Sequence, residues 1–178
     1  MENTRERRGT AGQSTRRKLM QRIGLGRTAI LLILVVSLLN QLLFVLKVNY
    51  HFLFSAAVPY YFSWLAGKLG GAAGVTTLKV FAVIVSLLIY VAYVGCWILS
   101  ATRRDFLKTA LWLYIADTVL LVGFAFAMLK NPFSCLLELL VHLIGIAVLY
   151  NAHISAQQLR KMSRKRKSRP APERSRER

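Results

Sequence analysis

Apolar residues in this chain come in long blocks, not in alternation or in stripes, and the first block begins abruptly. Residues 1–27 are polar and Arg-rich, with Gly, Ser and Thr among them and no apolar periodicity before Leu19. Residues 28–46 (TAILLILVVSLLNQLLFVL) then contain no charged group at all. Nineteen residues at the helical rise of 1.5 Å cover roughly 29 Å, about one hydrocarbon core. Comparable blocks follow at about 78–99, 107–129 and 133–153. The pattern predicts an all-α membrane protein, a four-transmembrane-helix bundle spanning residues 28–153. It predicts a basic tail on either side, 1–27 and 154–178, disordered over 1–15 and toward the C-terminal end. The first block exceeds the 7–15 apolar residues of a signal sequence and three more blocks follow it, so an uncleaved anchor is expected.

Residues 47–77 do not fit the simple count. The run VNYHFLFSAAVPYYFSWLA is apolar and aromatic enough to suggest a fifth span. Pro59, with glycines at 67, 70, 71 and 74, suits a bent element better than a straight helix. Tyr50, Phe52, Phe54, Tyr60, Tyr61, Phe62 and Trp64 suit the headgroup boundary, where an aromatic ring buries its body and wets an edge. Residues 50–66 are therefore expected as an interfacial or re-entrant segment on the outer face.

Charge decides between four spans and five. Residues 1–27 carry eight Lys or Arg against Glu2 and Glu6, and residues 151–178 carry ten against Glu173 and Glu177. Five spans would force one of those tails across the bilayer. Between the blocks, Arg22, Arg27, Arg103 and Arg104 fall on the side of the tails, while Lys47, Lys68, Lys79 and Lys130 fall on the other. The positive-inside bias then places both termini in the cytoplasm of a cell-membrane protein. A pI near 10.8 would suggest nucleic acid in a soluble protein. Beside membrane spans the same charge sets topology and meets anionic headgroups, at about 1 kcal/mol per close Lys or Arg. Arg160, Lys161, Arg164, Lys165, Arg166 and Lys167 are the expected contacts, and nucleic-acid binding by this run ranks below them.

Polar side chains inside a span are costly, so each needs a partner. Asn40 and Gln41 lie in the first block, Asp117 near the middle of the third, and Glu138 and His142 four residues apart on one face of the fourth. Counted from the Lys130-Asn131-Pro132 turn, Asp117 and His142 come to similar depths, as do Glu138 and Asn40. The expected pairs are Asp117 with His142, and Glu138 with Asn40 or Gln41. Hydrogen bonds that fix helix register are one use of such a network; a proton or cation relay is another. Gly123 and Ala127 form a small-xxx-small pair that predicts close helix approach. Cys96 and Cys135 fall near opposite faces, too far apart for a disulfide.

No metalloprotease, nucleophile-elbow, phosphate-loop or dinucleotide-binding motif occurs, so no catalytic residue, cofactor or metal is expected. The phrase FLFSAAVPYY at 52–61 resembles one, roughly F-L-F-S-A-x-x-P-Y-Y, in a group of uncharacterised small four-span membrane proteins of Gram-positive bacteria. The resemblance covers about ten residues and otherwise only layout; it implies a bacterial cell membrane. The expected function is non-enzymatic association in that membrane, with a protein partner or a second copy. The alternative is an oligomeric transporter or channel using Asp117, Glu138 and His142.

Overall fold

The computed structural model describes the backbone of residues 2–48, 50, 52, 54–69, 75–128 and 136–167, and side chains within 13–48, 50, 52, 54–67, 77–126 and 136–164. Among the described residues there are five helices: α1 (Glu2–Val45), α2 (Ala57–Leu69), α3 (Val75–Thr102), α4 (Phe106–Met128) and α5 (Leu136–Lys167). All but α2 are long and apolar enough to cross a membrane. These four form a ring in which α1 and α4 each pack on both α3 and α5, leaving α3 and α5 across the diagonal. The start of α1, the α3–α4 turn and the basic end of α5 gather at one end; α2 lies toward the other and packs on α1, α3 and α4.

Two expectations about the elements are corrected. The N-terminal tail is helical back to Glu2, where composition predicted disorder through residue 15. No proline interrupts residues 2–27, and once the apolar span has supplied a nucleus, extending a helix costs little per residue. Residues 57–69 form a regular helix, where Pro59 predicted a bend. Pro59 stands third in α2, inside the first turn, whose amide hydrogens have no intrahelical acceptor to lose. Proline starts this element and does not break it.

The span boundaries otherwise follow the apolar blocks, with α3 and α4 within a few residues of 78–99 and 107–129. The Lys130-Asn131-Pro132 turn, Cys135, the first residues of the fourth block, Gly70, Gly71, Gly74 and the tail beyond 167 lie outside the described residues, as do the side chains of Lys68, Ala127, Lys165, Arg166 and Lys167. Cys96 is a free, buried thiol.

Helices α1 and α5 approach closely at Gly26. A Cβ built there would fall 2.3 Å from the Cβ of Ala152. Gly145 of α5 makes room in the same way for the ring of Tyr114, whose Cε1 would lie 2.5 Å from an added Cβ. Gly123, half of the predicted small-residue pair, instead faces open space, with nothing within 4 Å of an added Cβ. Around these contacts the core is a column of Ile30, Ile33, Tyr93, Leu107, Tyr114 and Leu149, nearly all fully buried.

At the basic end, the guanidinium of Arg160 grips Asp105 with both arms, at 2.5 and 2.7 Å, tying the α3–α4 turn to α5. Arg160, expected at a lipid headgroup, is thus engaged within the chain, while Lys161 and Arg164 remain exposed. The hydrogen bond from Arg160 holds the Asp105 carboxyl below its ordinary value of 3.8. A depressed carboxyl stabilises the fold above its unfolded value and loses that contribution as pH falls through the folded one. The stability difference between the native chain and Asp105→Asn should therefore be small at neutral pH, because both groups are exposed. It should vanish as the pH drops below 3.8, which thermal melts at stepped pH will show.

Candidate functional site

Three polar residues of α1, Ser37, Asn40 and Gln41, sit at helical spacing and share one face. Each bonds the segment that leads into α2 or α2 itself. The Asn40 side-chain amide closes on the backbone of Phe52, accepting from its N–H at 2.6 Å and donating to its carbonyl at 2.7 Å. It also donates to the Ser55 hydroxyl at 2.9 Å. Ser37 accepts the Ala56 N–H at 2.6 Å while donating to the Ile33 carbonyl. Gln41 reaches the Ser63 hydroxyl at 3.0 Å. As the chain runs from 52 to 56, its partners on α1 run backward from 40 to 37, so the segment retraces α1 into the bundle.

Where it arrives, α2 begins, and its first turn meets the middle of α4. Asp117 accepts the N–H of Ala57 at 2.8 Å through one oxygen and that of Val58 at 2.9 Å through the other. Helix N-termini expose unpaired N–H groups and partial positive charge, and a carboxylate answers both. Residue 56, immediately before the helix, is Ala, among the poorest of N-caps. The cap is supplied instead from sixty positions along the chain.

His142 completes the arrangement from α5. Its Nδ1 lies 2.9 Å from the Glu138 carbonyl, which can only accept, so that nitrogen carries hydrogen. Its Nε2 stands 3.2 Å from Asp117 Oδ2. A hydrogen bond there needs a second proton, on the imidazole or on the carboxyl. Tyr114 stacks flat on the imidazole, centroids 4.9 Å apart and planes 6° from parallel. The hydroxyls of Tyr93 and Tyr114 are buried with no hydrogen-bond partner among the described residues.

Of the two expected pairs, the structure brings Asp117 and His142 together. It does not join Glu138 to Asn40 or Gln41, whose amides are engaged with 52–63. Glu138 instead accepts the Tyr61 hydroxyl at 2.8 Å. The depth count could not include α2, whose Tyr61 reaches Glu138 while the segment leading into α2 and Ser63 of α2 occupy Asn40 and Gln41. Ser37, Ser55 and Ser63 were not expected in the polar network, and Tyr61 was expected only as a headgroup-boundary aromatic. Ser37 had a signal, standing three residues before Asn40 on the same face; the others became visible only as partners.

Aromatic contacts pin the rest of α2. Tyr61 stacks on Phe124 of α4 at 5.6 Å, Phe62 leans on the same ring, and Tyr60 meets Phe44 of α1 edge-on at 5.9 Å. No set of three His, Cys, Asp or Glu side chains converges as metal ligands would, among the described residues. No protein-family model, curated protein or solved structure matches this chain.

Proposed function

We propose that this is a non-enzymatic protein of the bacterial cell membrane that acts by association, presenting a fixed α2 element at the outer face. In this reading both termini are cytoplasmic, and residues 50–69 form a re-entrant element. The bias of Arg to the tail end of the bundle and the FLFSAAVPYY resemblance support that placement. One observation carries the function: the buried polar side chains Ser37, Asn40, Asp117 and Glu138, with the half-buried Gln41, all bond a single segment, residues 52–63. Polar groups in a span are expensive, and here the cost goes into holding one element in place. A transport path would instead need those groups to face a passage. Asp117 and His142 are 5% and 0% exposed and are engaged with each other and with backbone.

The face turned outward by this scaffold includes Tyr50 and Phe52, an exposed edge-on aromatic pair 5.1 Å apart. Aromatic anchors of that kind dominate protein interfaces. A photo-crosslinking residue at position 50, irradiated in native membranes, should yield a discrete protein adduct, with another chain or with a second copy. The same residue at Val119, an exposed apolar position on α4, should give lipid adducts only. Lipid adducts alone at both positions would refute association through this face. Proton or solute flux in proteoliposomes, lost in Asp117→Asn with the fold intact, would establish transport instead.

A further inference from the structure

Beside α2, between α1 and α3, lies a groove of about 590 Å³. That volume is within the usual range for a small-molecule site. Its floor and walls are amphipathic: Gln41 and Ser63 offer polar atoms, Tyr60 and Trp64 offer rings, and Lys47 and Lys79 offer the charge. Val45 and Val83 carry the apolar lining outward. Both are more than half exposed and belong to the exposed apolar faces of α1 and α3, so the groove is continuous with the surface that hydrocarbon would cover.

The charge here is unbalanced. The seven acidic residues of the chain are Glu2, Glu6, Asp105, Asp117, Glu138, Glu173 and Glu177. Asp117 is sealed against α2 and His142, Glu138 is buried against Tyr61, and Asp105 is at the opposite end. Neither Lys47 nor Lys79 has an ion pair within the described chain. Lys47 is also held in an unusual way. Bonds from Val48 N–H to the Leu43 carbonyl and from Lys47 N–H to the Phe44 carbonyl close α1 in a Schellman cap. Lys47 occupies its left-handed position at φ 57°, where glycine is usual and a side chain is strained. A lysine there is fixed at the rim at some expense to the fold.

We propose that this groove seats an anionic phospholipid of the adjacent leaflet. Lys47 and Lys79 meet its phosphate, and an acyl chain lies along Val45 and Val83 past Trp64. The site does not rest on the association reading: Gln41 and Ser63 of its lining also hold α2, but Lys47 and Lys79, which meet the phosphate, do not, and the outward pair Tyr50 and Phe52 takes no part.

Trp64 provides the measurement. The other two tryptophans, Trp97 and Trp112, lie outside the groove lining. A full-length Trp97→Phe, Trp112→Phe chain reports from the groove alone. It is reconstituted in phosphatidylcholine vesicles containing a minor fraction of phosphatidylglycerol brominated on its acyl chains, or the same fraction of brominated phosphatidylcholine. Two lysines at about 1 kcal/mol each imply a preference of roughly thirtyfold, read as stronger Trp64 quenching by the acidic lipid. Lys47→Gln with Lys79→Gln should bring the two lipids level. Gly67→Leu, which enters open space on the groove side of α2, should weaken quenching by the acidic lipid with both lysines in place. Equal quenching in the parent chain would overturn the proposal, as would a preference that survives loss of both lysines. Soluble glycerol phosphate that abolishes the preference would assign the site to a free anion, and the lipid would be rejected.

Discussion

Asp117→Ala should destabilise the protein by about 3–5 kcal/mol, the usual cost of deleting one partner from a buried charged pair. The loss has two parts. His142 Nε2 loses its partner at 3.2 Å, and the amides of Ala57 and Val58 lose the acceptors at 2.8 and 2.9 Å that cap α2. Asp117→Asn should cost less, about 1–3 kcal/mol, because its carbonyl oxygen can still take one amide while its NH2 group faces the other. Both variants should act first on α2. Its first turn depends on Asp117, whereas no backbone group of α1, α3 or α5 bonds that carboxylate among the described residues. Limited proteolysis should therefore open between 46 and 57 in the variants under conditions where the native chain is resistant, with most helical circular dichroism retained. A native midpoint and a native cleavage pattern in Asp117→Ala would remove Asp117 as the anchor of α2.

The second large effect is expected at Gly26. Gly26→Ala adds one methyl, yet that methyl lies 2.3 Å from the Ala152 Cβ and 3.8 Å from its Cα. No flexible side chain is there to move aside, so α1 and α5 must separate. Overpacking of this kind costs about 1–3 kcal/mol. The partner suggests its own control: Ala152→Gly removes the colliding carbon, so the double variant should regain most of the loss although each single change destabilises. Gly123→Ala meets nothing within 4 Å and should be neutral or stabilising by up to about 1 kcal/mol. Thermal unfolding in one detergent across the four chains measures all of this. Additive losses in the double variant would contradict the close contact between Gly26 and Ala152.

The same two sites show how far the sequence could be read. Gly26 fell in the expected basic tail, two residues before the first apolar block, while Gly123 fell inside the third, and the spacing of Gly123 with Ala127 was the more suggestive. Which glycine faces a neighbour depends on how each helix is rotated about its axis. In blocks as uniformly apolar as TAILLILVVSLL that rotation leaves little trace, since lipid-facing and core-facing residues are alike. Polar positions were more informative. Asp117 and His142 were paired from depth alone, because a short connection makes their helices neighbours and the rise per residue converts position into height.

Residues 28–46 and the three later apolar blocks determined the helices by themselves, since in hydrocarbon a backbone must satisfy its own hydrogen bonds, and a helix does so locally. The charges of the two tails likewise set the expected count of spans. The start of α2 was beyond such local rules. Ala56 cannot cap it, Pro59 appeared to oppose it, and its actual cap is Asp117 on another helix. Glu138 paired with Tyr61 for the same reason: its partner arrives with an element whose position only the folded bundle establishes. Sequence settled what each segment can satisfy within itself. Tertiary structure decided the rest, because an N–H left free at a helix end and a carboxylate left free in a span are completed only across the chain.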